Sequence, residues 1–203
     1  MRRLILFGNA LVVAGALLLV GPAARVVMGL RAQAAGAVPA SASSVSPARH
    51  PRRPADGEAM GRLELPRLGL DLVVFEGVSE ATLRKGPGHL PGTAWPGGSD
   101  AAGNCVIAGH RDSFFRRLAQ ARRDDLVRFH GPTGTSTYRL GERRIVRPED
   151  VSAIAPTSDA RLTLVTCYPF SWTGSAPYRL VWSAARVEPP LLESLRISER
   201  RVR

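Results

Sequence analysis

Residues 162–169 have the sequence LTLVTCYP, an apolar and β-branched run that ends in a cysteine, a tyrosine and a proline. Alternation of apolar and β-branched side chains over such a length is typical of a β-strand. Pro169 has no backbone N–H and cannot continue a hydrogen-bonded ladder, so the strand is expected to end close to Cys167. The pattern therefore predicts a cysteine at the mouth of a strand.

Two other residues make Cys167 a candidate nucleophile. A thiol needs a base or a nearby cation to become a thiolate at neutral pH. A nucleophile that attacks a carbonyl also needs a fixed positive donor for the oxygen that becomes charged. His110, upstream, and Arg179, downstream, are suited to these two roles. We therefore predict an active site in which Cys167, His110 and Arg179 are catalytic.

Three segments around these residues resemble the sortases, most closely the class D group. They are GNCVIAGHRD (103–112), TLVTCYP (163–169) and GSAPYRL (174–180). The resemblance extends from about Gly61 to Pro189. It implies an all-β fold, a closed or nearly closed barrel of about eight strands with one or two short helices. It also implies a cysteine transpeptidase in which Cys167 attacks a peptide carbonyl and forms a thioacyl-enzyme.

The resemblance assigns roles to the other two residues and to the partners. His110 gives a proton to the leaving amine and then acts as a base for the incoming nucleophile. Arg179 holds the oxyanion or positions the substrate backbone, with a planar fork that lysine does not reproduce. The implied partners are exported proteins with a C-terminal sorting signal and an acceptor, which is a cell-wall peptide amine, a pilin lysine or water. No cofactor is implied.

Five nearby residues are further candidates, each with a purely structural interpretation beside the functional one. Thr166 is expected to shape the substrate pocket or simply to fill a strand position. Tyr168 and Trp172 are expected to line an apolar substrate groove or to join the core. His89 lies in a glycine-rich loop that permits close approach to a groove, and Asp112 is placed to orient the catalytic imidazole or to remain solvated. No carboxylate cluster predicts a metal site, such as the calcium site of some sortases.

Short alternating segments between turns predict the rest of the barrel. The predicted strands cover residues 62–65, 70–75, 103–109, 125–130, 135–140, 143–147, 161–166 and 178–187. Ser79 is suited to cap a short helix over 79–85, and a second short helix is predicted over 114–121. Many short strands with few helices favour a closed barrel, because closure removes exposed sheet edges.

The two cysteines permit one disulfide in an oxidising compartment. Strict strand alternation, however, places Cys105 on the face opposite to His110, so we expect it to be a buried core residue. A Cys105–Cys167 disulfide would instead make the chain a non-enzymatic β scaffold domain. Another exported cysteine peptidase, or an L,D-transpeptidase-like enzyme, is the second alternative, although the nucleophile string of the latter is absent around Cys167.

The chain has a formal net charge of +11, and every one of its 28 basic residues except Lys85 is an arginine. High genomic GC content is one explanation. Attraction to anionic lipid headgroups or to an acidic wall polymer is the functional alternative. A nucleic-acid partner is not expected, because the arginines are scattered and no helix-turn-helix, zinc-finger or RNA-binding signature is present.

The N-terminal part of the sequence predicts membrane attachment. Residues 4–24 contain no charged side chain. As a helix they would span roughly 31 Å at about 1.5 Å per residue, enough to cross the bilayer hydrocarbon. We expect residues 1–31 to form an uncleaved single-pass anchor in the cell membrane, with the catalytic domain on the extracytoplasmic side. A signal peptide cleaved after Ala32-Gln33-Ala34 is the alternative.

Composition divides the rest of the chain into three parts. Residues 32–60 are rich in Ala, Ser, Pro and Arg and predict a flexible tether. Residues 61–190 are expected to form the catalytic barrel. Residues 191–203 form a basic tail, interpreted as frayed or as a short amphipathic helix.

Overall fold

A computed structural model describes residues 27–34, 53–96 and 103–187. Eight strands form a closed barrel in the order β1-β2-β3-β4-β7-β8-β6-β5. The strands are β1 (Ala59–Leu65), β2 (Leu70–Glu76), β3 (Gly88–His89), β4 (Gly103–Gly109), β5 (Leu126–Gly131), β6 (Gly134–Val146), β7 (Ala160–Tyr168) and β8 (Tyr178–Val187). The predicted all-β barrel is confirmed.

Short helices accompany the barrel. Helix α1 covers residues 27–34 and helix α2 covers Glu80–Lys85. Three 3₁₀ helices lie at Pro66–Leu68, Arg116–Gln120 and Val151–Ile154. Ser79 caps α2 as predicted, because its hydroxyl accepts a hydrogen bond from the Thr82 N–H.

The barrel interior is filled by side chains that alternate along the strands. On β7, Leu162 and Leu164 are fully buried in the core, and on β8 the corresponding residues are Leu180, Trp182 and Ala184. Their neighbours in sequence therefore lie on the outer face of the sheet. This alternation sets which residues of β7 and β8 lie on the outer face of the barrel.

Most neighbouring strands are antiparallel, but β2 and β3 run parallel, and so do β4 and β7. The carboxyl ends of β4 and β7 consequently lie side by side at the same end of the barrel. Because β4 ends just before His110 and β7 carries Cys167 near its end, this parallel pair is the feature that positions the site.

The structure differs from the sequence prediction in three elements. Strand β6 is a single strand where two were predicted, and a register shift between Leu140 and Arg143 explains the break in its alternation. The helix predicted over 114–121 is a 3₁₀ helix, Arg116–Gln120. Strand β3 was not predicted, since two residues are too few to produce a period.

Both cysteines are free. Cys105 is buried in the core and pairs with Leu162 on β7. Cys167 lies five residues further along β7, a distance of about 16 Å along the strand, too far for a disulfide. The expectation of a buried Cys105 is confirmed, and the disulfide-closed scaffold is excluded.

The predicted membrane span at residues 4–24 and the tail at residues 191–203 lie outside the described residues. Within residues 27–34, 53–96 and 103–187, no helix has both the length and the hydropathy needed to cross a bilayer. Strand β1 begins at Ala59, two residues before the expected start of the barrel. Helix α1 contacts the barrel through Gln33, which falls within the predicted tether.

Candidate active site

Two strand registers bring the three predicted catalytic residues to one place. In the parallel β4–β7 pair, Gly109 is the partner of Thr166, so the residues that follow them, His110 and Cys167, are neighbours. In the antiparallel β7–β8 pair, Cys167 lies directly opposite Arg179. Directly opposed residues have Cβ atoms about 4.5–5.5 Å apart and point to the same face. Cys167 thus lies between His110, which follows β4, and Arg179 on β8.

The two thiols of the chain have very different environments. Burial raises the pKa of the Cys105 thiol far above its usual range, with a smaller contribution from the charge of Glu76. Cys105 is therefore a protonated, inert core residue. Cys167 is half-buried on the outer face of β7, at the end of the barrel where a substrate can reach it.

His110 has an acidic neighbour that the sequence did not reveal. Its Nε2 lies 3.9 Å from Oε2 of Glu80, at the start of α2. The backbone carbonyl of His110 accepts a hydrogen bond of 3.0 Å from the Phe115 N–H, which fixes the turn after β4. Asp112, the predicted orienting carboxylate, is exposed, and the structure gives it no hydrogen bond among the described residues. Its orienting role stays a prediction.

Arg179 is partly held by the loop that precedes β8. Its Nη1 donates to the carbonyls of Ala176, at 3.2 Å, and Tyr178, at 3.0 Å. No partner for Nε or Nη2 is found within the described part of the chain. The guanidinium is therefore anchored through one nitrogen and retains donors for an oxyanion.

Thr166 braces the site from the interior side of the sheet. It is 2 % exposed, and its hydroxyl donates to the carbonyl of Gly109 at 2.7 Å. This bond joins β4 to β7 one residue before His110 and Cys167. The geometry supports the pocket-shaping interpretation, whereas a direct bond to substrate stays a prediction.

The two predicted groove aromatics lie in different environments. Tyr168 packs against the core, edge to face with Phe170 at 6.2 Å and beneath the guanidinium of Arg143 at 6.0 Å. Trp172, in the β7–β8 loop, is 49 % exposed and donates from Nε1 to the Ser175 carbonyl at 3.0 Å. Of the two, Trp172 presents the larger apolar surface beside the site.

Arg111 connects that loop to the turn that carries His110, and sequence reasoning missed this contact. Its Nη2 donates to the carbonyls of Trp172, at 2.7 Å, and Gly174, at 2.9 Å. Arg111 directly follows His110, so one arginine connects the turn after β4 with the loop after β7. Nothing in the sequence indicates this pairing, because the residues are more than sixty positions apart.

His89 is buried in the barrel. It is 3 % exposed, its Nδ1 lies 2.8 Å from Oε2 of Glu76, and its Nε2 lies 3.1 Å from the Ala94 carbonyl and 3.0 Å from Oγ1 of Thr93. Both ring nitrogens are therefore engaged in bonds that hold β3 and the following loop. The suggested contact with substrate stays a prediction.

The outer face of the sheet extends from the catalytic residues to a second feature. Beyond Cys167 and Arg179, the paired residues are Val165 with Val181 and then Thr163 with Ser183. Towards the other end, residues of the β6–β7 loop and of the sheet line a partly open cavity of about 230 Å³. The lining of this cavity includes Asn104, Arg144, Arg161, Val181 and Ser183. The distance from Arg161 to Cys167 is about 20 Å of strand.

No three His, Cys, Asp or Glu side chains converge as metal ligands among the residues that the structure describes. The expectation of no metal site stays a prediction.

Comparisons with known proteins identify relatives over the barrel. Residues 63–187 match the sortase domain family. The chain is 37 % identical over 136 residues to Sortase D of Bacillus subtilis (strain 168), covering 66 % of this chain and 67 % of that protein. Sortase C1 of Streptococcus suis superposes with a TM-score of 0.62 at 26 % identity, covering 68 % of this chain and 77 % of that one.

A third relative supports the fold. The Sortase D5 transpeptidase of Clostridium perfringens superposes with a TM-score of 0.60 at 24 % identity, covering 67 % of this chain and 83 % of that one. At this identity, the likeness shows that the barrel architecture is shared.

Proposed function

The chain belongs to the sortase family of cysteine transpeptidases, and on that premise we propose that Cys167, His110 and Arg179 carry its reaction. Their substrate is the C-terminal sorting signal of an exported protein. The observation that supports this most directly is the strand register, in which Cys167 is the partner of Arg179, and Thr166 is the partner of Gly109, the residue before His110.

The first half-reaction cleaves the sorting signal. The Cys167 thiolate attacks the scissile carbonyl, and the C=O electron pair moves to oxygen, where donors of Arg179 stabilise the charge. When the carbonyl re-forms, the C–N bond breaks, and His110 gives its proton to the leaving amine. The products are a thioacyl-enzyme at Cys167 and the released C-terminal peptide.

The second half-reaction transfers the acyl group. An acceptor amine attacks the thioester carbonyl, and His110 takes the proton that the amine loses. The new C–N bond forms as the C–S bond breaks, so the thiolate and the protonated imidazole are regenerated. The acceptor is a cell-wall peptide amine or a pilin lysine, and water in its place gives hydrolysis.

The outer face of β4, β7 and β8 is the proposed substrate groove. An extended peptide rises about 3.3 Å per residue, so about six residues fit along β7 between Cys167 and Arg161, which lines the cavity. Val165 and Val181 form an apolar floor next to the catalytic end, and Trp172 stands at the loop beside it. A sorting motif with apolar residues near the scissile bond fits this floor.

The family is generally membrane-anchored, and the apolar segment at residues 4–24 supports the same location for this chain. We place the barrel outside the cytoplasm, where exported substrates and wall amines occur. The basic surface would favour approach to anionic lipid or to wall polymers.

The proposal is tested with the full-length chain in detergent, a peptide library with a variable sorting motif, and a short amine acceptor. We expect mass spectrometry to detect peptides joined to the acceptor. The Cys167→Ala variant should form none, whereas Cys105→Ala, the matched cysteine control, should retain transfer. Cleavage without transfer at any acceptor concentration would contradict the transpeptidase assignment, and transfer by Cys167→Ala would contradict the proposed nucleophile.

A further inference from the structure

Helix α1 carries an exposed apolar face immediately after the predicted membrane span. We propose that this face lies in the lipid interface and that α1, clamped to the barrel, holds the catalytic domain directly against the bilayer. This inference rests on the membrane attachment in the proposed function, and on no property of the catalytic residues.

Gln33 attaches α1 to the barrel with three hydrogen bonds. Its Oε1 accepts from the Val73 N–H at 2.6 Å, and its Nε2 donates to the Val73 carbonyl at 3.0 Å. The side-chain amide thus pairs with the edge of β2 as a neighbouring strand would. The same Nε2 also lies 3.0 Å from the Lys85 carbonyl at the end of α2. A flexible tether would not require such specific hydrogen bonds to the barrel.

Two glycines permit this close contact. Gly29 lies one helical turn before Gln33 on the same face, and a Cβ there would come within 3.1 Å of the Phe114 ring and 3.2 Å of the Arg84 carbonyl. A Cβ on Gly86 would lie 2.2 Å from Nε2 of Gln33. The inner face of α1 is therefore shaped for the barrel.

The opposite face of α1 is apolar and open. Val27, Met28 and Leu30 are 46 %, 59 % and 63 % exposed. Across residues 27–34, 53–96 and 103–187, seven large apolar side chains are exposed, and three of them lie on this helix. Such a concentration marks a contact surface, not chance exposure.

Position in the chain identifies the occupant as lipid. The uncharged segment at residues 4–24 ends just before α1, and a helix of that length ends near the headgroups. Arg31 lies one helical turn after Val27 on the same exposed face, where its charge meets anionic headgroups while its stem remains in the interface. An exposed face of apolar side chains and an arginine, next to a predicted membrane span, is typical of an interfacial helix.

The arrangement also places the active site relative to the membrane. Helix α1 contacts α2 at Arg84 and Lys85, and Glu80 at the other end of α2 lies 3.9 Å from His110. The catalytic end of the barrel is thus coupled to α1 through one short helix. Residues 35–52 then connect α1, which contacts the barrel, to the start of the barrel itself. Their length therefore does not set the distance between the barrel and the bilayer.

Spin labels on the full-length chain in phosphatidylglycerol and phosphatidylcholine vesicles test the proposal. A nitroxide is attached at Leu30→Cys, or at Val151→Cys as an equally exposed apolar control on the β6–β7 connection, in a Cys167→Ala background that leaves only buried Cys105. We expect the ratio of collisions with oxygen to collisions with an aqueous nickel chelate to be several-fold higher at position 30 than at position 151.

Other outcomes overturn the proposal. These are equal ratios at the two positions, spin–spin broadening at position 30 that reports a second copy, a mature N-terminus after Ala34, and failure of the chain to float with the vesicles. None of them depends on transfer activity. Conversely, the wild-type chain could show no transfer while the label at position 30 of the Leu30→Cys variant lies in lipid. That result would defeat the proposed function and leave this inference intact.

A second variant tests the clamp itself. Gln33→Ala removes all three hydrogen bonds, and Ala34→Ser is the control on the exposed side of α1. We expect Gln33→Ala to reduce transfer of a lipid-anchored substrate several-fold and to leave transfer of a soluble peptide unchanged. Equal rates of the two variants on the lipid-anchored substrate would overturn the role of the clamp.

Discussion

The guanidinium of Arg179 faces Cys167 across the β7–β8 ladder and is held through Nη1 by two backbone carbonyls. This anchoring through Nη1 leaves Nε and Nη2 without a partner among the described residues. A lysine at this position would retain the charge but would lack the second donor and the fixed plane.

We therefore expect Arg179→Lys to lower kcat by about 10²–10³-fold, the usual effect of removing one oxyanion donor, with a smaller change in KM. Arg186→Lys, on the same strand and exposed, is the matched control and should be unaffected. Steady-state kinetics with one peptide and one acceptor measure both. A rise in KM at constant kcat would indicate that Arg179 binds the ground state instead.

Single residues were predictable where a local string carried the chemistry. Cys167, His110 and Arg179 could be proposed from the sequence because each lies in a distinctive segment, and their catalytic roles stay predictions. Glu80 was not found, since its approach to His110 depends on where α2 lies on the barrel. Asp112 is close to His110 in sequence, but the carboxylate near the imidazole is that of Glu80.

At the scale of elements, the β7–β8 loop is held by a residue of another strand connection. Arg111 bonds two carbonyls of this loop, those of Trp172 and Gly174. The same loop carries the carbonyls that anchor Arg179. Loss of the Arg111 hydrogen bonds should therefore affect substrate binding more than the chemical step.

We expect Arg111→Gln to raise KM by about tenfold, since loss of a hydrogen bond to a charged group costs about 1.5–3 kcal/mol, with a smaller effect on kcat. Hydrogen exchange should become faster in residues 170–177. Arg116→Gln, an exposed substitution on the following 3₁₀ helix, is the control. Unchanged exchange in the loop would show that Arg111 does not position it.

The strands themselves were predictable from alternation, but their pairing was not. Segments such as Leu162–Thr166 produce a clear period of two. The parallel pairing of β4 with β7 joins residues that are far apart in sequence and leaves no local signal. The bulge after Leu140 hid the continuity of β6 for a related reason, because the extra residue shifts the period.

At the scale of the whole molecule, one ion pair links two separate strand connections of the barrel. Asp125 is 8 % exposed and accepts hydrogen bonds from both Nε and Nη2 of Arg67 and from the Arg122 N–H. The bonds from Arg67 hold the pKa of Asp125 below its usual range. The pair joins the turn after β1 to the start of β5.

The lowered pKa of Asp125 sets a dependence of stability on pH. The carboxylate stabilises the folded state fully above the unfolded-state pKa, about 3.9, and the contribution is lost as pH falls through the lower folded-state value. We expect Asp125→Asn to lower the urea midpoint at pH 7 and to lose less stability than wild type between pH 5 and pH 2. Asp159→Asn, in an exposed pair with Arg161, should have little effect at pH 7. Parallel acid curves for Asp125→Asn and wild type would contradict this account.

The extent of the barrel was also predictable at this scale, because its strands occupy a continuous stretch of alternating sequence. The attachment of α1 to the barrel was not predictable from the sequence. Residues 32–60 have the composition of a flexible tether, and composition does not reveal that Gln33 fits the edge of β2.

The central claim is that Cys167 holds the acyl group during transfer. Its most direct test starts from an intact library peptide that the enzyme is found to cleave. The full-length wild-type chain is mixed with this peptide in the absence of amine and quenched in acid, and the adduct is mapped by mass spectrometry. We predict a hydroxylamine-labile acyl group on the peptide that contains Cys167 and none on the peptide that contains Cys105. An adduct on Cys105, or an adduct that persists in Cys167→Ala, would contradict the account.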